Sequence, residues 1–250
     1  MAVRSHFGSP LNRRRLASAM SDVALPTASG SFSDRVEHTR VRFFRTRYEN
    51  LAVDLALVAG FAAVTGLAAQ VSFLTPWSPV PVTLQVFTVL LSGTVLGYRW
   101  GTASQALYVA LGALLIPWYA PASGAPAFTA GGIAHLLGPT GGYLLMFPVA
   151  AFSVGYLSDR HVQARSPVAQ VGAMLLGVGL IYAGGALGFW LVLRAAFPVV
   201  LAEAVLLFIP FDLAKGVAAG VLGSGLTPRS RFGPESDGSV GYRRWWPARR

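Results

Sequence analysis

The sequence predicts an all-α integral membrane protein, a compact bundle of six transmembrane helices with both termini cytoplasmic. Three observations carry this. Of the 250 residues, 54% are hydrophobic and 12% charged, against about 25% charged in an ordinary soluble domain. The apolar residues gather into six stretches between two polar tails. The 20 basic residues, nineteen Arg and the single Lys215, are concentrated in those tails, with nine Arg in 1–50 and six in 224–250. That distribution is unlike the basic stripe of a nucleic-acid binder, so no nucleic-acid partner is expected. With no Cys at all, a disulfide framework, a thiolate nucleophile and a cysteine metal site are excluded.

Residues 1–50 are rich in Ser and Arg, carry Asp22, Asp34, Glu37 and Glu49, and hold no apolar run long enough to bury. They read as a largely disordered cytoplasmic tail. The best candidate for a cleavable signal, 16–25, is interrupted by Asp22 and followed by Pro26, so no signal peptide is expected. Met20 offers a second possible start. Arg40, Arg42, Arg45 and Arg47 alternate with Val41, Phe43, Phe44 and Tyr48, which suits either contact with anionic membrane lipid or a simple topogenic charge cluster.

The six apolar stretches run 51–70, 82–97, 102–117, 139–157, 167–193 and 198–222. A spanning helix needs about 20 mostly apolar residues. The second and third, at sixteen residues, reach only about 24 Å at 1.5 Å per residue and are short. With both tails inside, eighteen of the twenty basic residues fall on the cytoplasmic side, only Arg194 outside, and Lys215 within a span. The positive-inside rule therefore favours an even number of crossings. Trp77, Trp118, Tyr119 and Trp190 then fall at outer boundaries, and Tyr98 and Trp100 at an inner one, as an aromatic belt predicts. Residues 51–222 thus form one multi-pass domain of the cell membrane, and 223–250 a basic cytoplasmic tail. The outer loop 118–138 is long and rich in Gly, Pro, Ala and Ser, whereas the inner turn 98–101 is minimal; a binding site open to the outside is expected.

Ionisable groups inside spans are costly and point to function by default. Asp54 suits the first turn of the first helix, where a carboxylate complements the macrodipole. Glu203 lies near the outer end of the last stretch, at the interface or beside Arg194. The exception is the run from Ile209 to Lys215. Pro210 starts or kinks a helix there, which places Asp212 in its first turn and Lys215 three residues on, on the same face. The pair either satisfies itself as a packing device or points into a cavity, where Lys215 donates to an anionic or carbonyl oxygen and Asp212 accepts from ligand N–H groups. A second cluster, residues 79–85, enters the second helix from outside. Within it Thr83 and Gln85 either meet a ligand or bridge neighbouring helices. In the third, residues 138–143, Gly141 and Gly142 permit close backbone approach and Tyr143 offers an amphipathic surface.

His135 has no partner at metal-ligand spacing and reads as a loop residue. The only lysine is followed by Gly216, so a Walker A site is absent and any ATP must be bound by partner subunits. No nucleophile triad or carboxylate pair has supporting context. An enzyme, a metal site and a bound cofactor are therefore not expected. The first span carries Ala52, Ala56 and Gly60 at four-residue spacing, with Ala59 and Ala63, and Ala62 and Gly66 beside them. Such stripes let another helix approach closely, either inside the bundle or from a partner protein.

Three segments, 79–85 (PVPVTLQ), 138–144 (GPTGGYL) and 209–215 (IPFDLAK), in this order and with this six-span pattern, resemble the BioY family, the biotin-capturing S component of energy-coupling factor (ECF) transporters. The resemblance covers about 51–222. It implies biotin binding from outside in a pocket under the outer loops, with Asp212 and Lys215 among the ligand contacts. It also implies a transmembrane coupling protein and two cytoplasmic ABC-type ATPases as partners, with the Ala-rich face of the first helix as docking surface and a tilting S component that releases substrate inward. The chain departs from the family in having Phe211 where Gly usually precedes the Asp, and in lacking the Gly-dense run of the long outer loop. Rival readings are an S component for another vitamin, a self-contained transporter using Asp212 as proton relay, and a ligand-free scaffold.

Overall fold

The computed structural model describes residues 32–122, 125–160 and 162–229. The readings made for 1–31 and 230–250 lie outside these. The elements in order are α1 (Phe32–Glu49), α2 (Leu51–Gln70), a short antiparallel hairpin of β1 (Ser72–Phe73) and β2 (Val82–Thr83), α3 (Gln85–Leu114), α4 (Gly132–Leu136), α5 (Gly141–Arg160), a 3-10 turn (Val162–Arg165), α6 (Pro167–Leu193), α7 (Phe197–Leu201), a π turn (Ala202–Leu206) and α8 (Ile209–Leu226). Among the described residues, four helical stretches are long and apolar enough to cross a membrane: Leu51–Gln70, Gly141–Arg160, Pro167–Leu193 and Phe197–Leu226.

The remaining two apolar stretches are the arms of α3. Gly97, at φ 74° and ψ 173°, reverses the chain inside what is otherwise continuous helix. The arms fold back on each other: the backbone at Gly101 packs on Ser92 and Gly93, Gln105 donates to Ser92 Oγ (3.0 Å) and Gln85 to Tyr108 OH (2.6 Å). The reversal is tighter than the expected four-residue turn, and 98–101 are themselves helical. Only glycine reaches this φ without strain, and Asp159 Oδ2 accepts from the Tyr98 N–H (3.0 Å), capping the second arm. The hairpin is the centre of the bundle. It packs against α2, α5 and α8, while α6 closes the other side of α5 and α8.

Two expectations change. Residues 32–49, read as disordered, form an 18-residue helix. The stretch needs no long apolar run, because Val41 and Phe44, three apart, bury together, and Glu37 accepts from the Arg229 N–H (2.8 Å) just past the end of α8. Asn50 then ends α1 and caps α2 through its side chain, which accepts from the Ala52 N–H (3.0 Å). Trp118 and Tyr119, expected at the membrane boundary, are instead 7% and 0% exposed, whereas Trp77 and Trp190 are 70% and 45% exposed. Gly66 on α2 and Gly112 on α3 leave slots that the two rings fill, and a Cβ at either glycine would collide with them. Polar ends are satisfied inside: Trp118 Nε1 donates to Tyr108 O (3.0 Å) and Tyr119 OH to Val109 O (2.6 Å).

Gly97→Ala places a side chain at positive φ and a Cβ 2.5 Å from Asp159 Oδ2. A destabilisation of about 2 kcal/mol or more is expected, read as a lower unfolding midpoint in detergent. An unchanged midpoint contradicts the reversal at this residue.

Candidate functional site

At the end of the bundle that carries the β hairpin, α4 and the start of α8, the elements surround a cavity that opens to solvent. Its floor and sides are mainly apolar, with Val80, Pro81, Val86, Leu144, Phe147, Ile181 and Phe208. Into this surface project Thr83, Gln85, Tyr119, His135, Thr140, Tyr143 and Asp212. A mostly apolar pocket with a few placed polar groups is the usual form of a small-molecule site.

Thr83 ends β2 and Gln85 begins α3. Thr83 Oγ1 accepts from the Gln85 N–H (3.2 Å) and donates to Gln85 Oε1 (3.0 Å), and Gln85 Nε2 donates to Tyr108 OH (2.6 Å). Gln85 thus ties the two arms of α3 together and lines the cavity as well. Tyr143 stands at the start of α5. The Phe208 N–H donates to Val205 O (3.0 Å) instead of to its α-helical acceptor, Ala204 O, which accepts from Tyr143 OH (2.5 Å). The irregular turn before α8 is anchored in this way to the cavity wall.

Asp212 lies in the first turn of α8, behind Pro210. It is 4% exposed. Oδ1 accepts from Lys215 Nζ (2.6 Å) and Oδ2 from Tyr182 OH (3.0 Å) on α6. Lys215 and Tyr182 hold the carboxylate without being part of the cavity wall. A charge buried at this depth is tolerable only when paired.

The structure therefore brings Thr83, Gln85, Tyr143 and Asp212 together on one cavity, with Lys215 one contact away. Gly141 and Gly142, between the wall residues Thr140 and Tyr143, do not line it themselves: a Cβ at Gly141 would strike Leu136 O and one at Gly142 would strike Gly184 O, so these glycines let α5 approach α4 and α6. Sequence reasoning missed Tyr108, Thr140 and Tyr182, and read Tyr119 as a boundary aromatic and His135 as a loop residue, whereas both line the cavity. His135 is in α4, with Nε2 3.3 Å from Thr140 Oγ1 and its ring 5.2 Å from that of Tyr119. Burial lowers its pKa, so the imidazole is neutral at pH 7; the same cause pushes the Tyr119 phenol up to about 12. A signal for the two aromatics existed in the glycines at 66 and 112, which a belt residue does not need.

Ala52, Ala56, Ala59, Gly60 and Ala63 are all exposed on α2, whereas Ala62 and Gly66 are buried. Internal packing thus accounts for the second pair and leaves the first set open.

Residues 40–232 match the sequence model of the BioY family. A probable biotin transporter BioY of Pyrococcus horikoshii is 40% identical over 171 residues, 68% of this chain and 94% of that protein. The biotin transporter BioY of Thermotoga maritima is 38% identical over 165 residues, 65% of this chain and 88% of that protein. The fold matches, with a TM-score of 0.63 and 24% identity over 70% of this chain and 90% of the other, the crystal structure of an S-component for biotin from an ECF-type ABC transporter. The chain belongs to the BioY family.

Proposed function

We propose that this protein captures biotin at the outer face of the cell membrane as the S component of an ECF transporter, and that uptake is driven by a coupling protein and two ABC-type ATPases that bind the ATP. The observation that carries the reading is the buried Asp212 carboxylate, paired with Lys215, on the wall of a mainly apolar cavity in a chain of this family. Biotin has an apolar bicycle, two ureido N–H groups, a ureido carbonyl and a carboxylate. Asp212 accepts from N–H groups, Gln85 and Tyr143 border the ring, and Lys215 holds the charge balance or meets a ligand oxygen.

The same reading has six membrane crossings, the two short arms of α3 included, with both termini cytoplasmic. The distribution of Arg supports it, because the cavity residues Tyr143 and Asp212 lie at the starts of α5 and α8, and Arg160, Arg165 and Arg229 at or beyond the other ends of these helices. The exposed Ala and Gly stripe of α2 suits a helix of the coupling protein, since small residues permit backbone contact. Gly60 has nothing within 4 Å of an added Cβ, so a larger residue there fits the isolated protein and obstructs only a partner.

Two outcomes are expected. In calorimetric titration of the detergent-purified protein, biotin binds saturably and thiamine and riboflavin do not, while Lys215→Ala weakens biotin at least tenfold, about 1.4 kcal/mol. Absence of biotin heat at micromolar concentration contradicts the ligand, and unchanged affinity in the variant assigns the lysine to packing alone. Gly60→Leu with Ala56→Leu should keep biotin affinity and lose both co-purification with the coupling protein and ATP-driven uptake; undiminished uptake removes α2 as the docking face.

A further inference from the structure

Asp212 is the one carboxylate on the cavity wall among the described residues, and each of its oxygens receives a donor from the protein. The two donors constrain it differently. Lys215 lies one turn along the same helix, with Nζ 2.6 Å from Oδ1, and its flexible stem moves with α8. Tyr182 comes from α6, with OH 3.0 Å from Oδ2. It directly follows Ile181, which is fully buried and itself lines the cavity. A rigid phenol on a second helix thus references the plane of the carboxylate to another wall of the site. The two phenols of the cavity wall, Tyr143 and Tyr119, already donate to Ala204 O (2.5 Å) and Val109 O (2.6 Å) and do not substitute for it. Each carboxylate oxygen has about two lone-pair sites; with one taken by the protein, the other remains for a ligand donor in a fixed direction.

We infer that Tyr182, which the cavity wall does not include, is a positioning residue for the ligand-facing carboxylate of Asp212 and so sets the affinity of the site for ligands that donate N–H groups. The inference rests on the biotin reading above for its ligand.

Tyr182→Phe removes one oxygen and keeps the ring that packs against the core, so the unfolding midpoint should hold. Two readouts are compared in purified full-length protein. Infrared difference spectra of ligand-free protein, with Asp212→Asn identifying the Asp212 band, should show a shifted carboxylate stretch in Tyr182→Phe. Calorimetry should show biotin bound about tenfold more weakly, as expected for a lost hydrogen bond to a charged group. Unchanged affinity overturns the inference, and so does weakened affinity with an unmoved carboxylate band, which means that Tyr182 acts on something other than Asp212. A shifted band in a protein whose wild type takes no biotin overturns the biotin reading and leaves the hold on Asp212 standing.

Discussion

One buried carboxylate organises this molecule. An ion in a membrane bundle is retained only where donors compensate its lost hydration, and the donors of Asp212 come from two helices. Meeting that condition requires α8 to begin where it does. Pro210, lacking an N–H, sits at the start of the helix, the π turn shifts the hydrogen-bond pattern just before it, and Tyr143 reaches across to take the carbonyl this leaves at Ala204. The last apolar stretch is therefore a short first helix and a longer final one joined by an irregular turn, and Phe208 beside the turn is part of the cavity wall.

The rest of the cavity is shaped by where side chains are missing. Gly66 and Gly112 make room for Trp118 and Tyr119, which turn inward from the long loop and bring Ala120 and His135 up to the site. Gly142 and Gly184 allow α5 and α6 to touch, setting the distance across which Tyr143 and Ile181 line the cavity. The reversal at Gly97 does the same at the far end, closing α3 on itself so that Gln85 and Tyr108 meet. In lipid, where apolar surface gains little from leaving its solvent, such close packing and internal hydrogen bonds carry the stability that hydrophobic burial carries in water.

Features with short sequence separation were legible before the structure. Asp212 and Lys215, three apart behind a proline, could be read as a pair because helix geometry alone brings them together. The apolar stretches were legible for the same reason, as each is a local property. What was not legible depends on distant neighbours. Tyr182 is thirty positions before Asp212 and nothing local marks it. Trp118 and Tyr119 have the composition of boundary aromatics, and only the glycine slots on other helices decide that they turn inward. Gly141 and Gly142 looked like a ligand loop because glycine serves backbone approach to a ligand and to a helix equally well. Residues 32–49 looked unstructured because their two core residues, Val41 and Phe44, are too few to register as a pattern.

The central claim is that the ligand of this family member is held in the cavity against Asp212. A crystal structure of the full chain grown with biotin tests it most directly. Density for biotin is expected between Gln85 and Asp212, with a ligand donor within hydrogen-bond reach of the Asp212 carboxylate. Biotin bound elsewhere, or bound in this cavity without contact to Asp212, contradicts it.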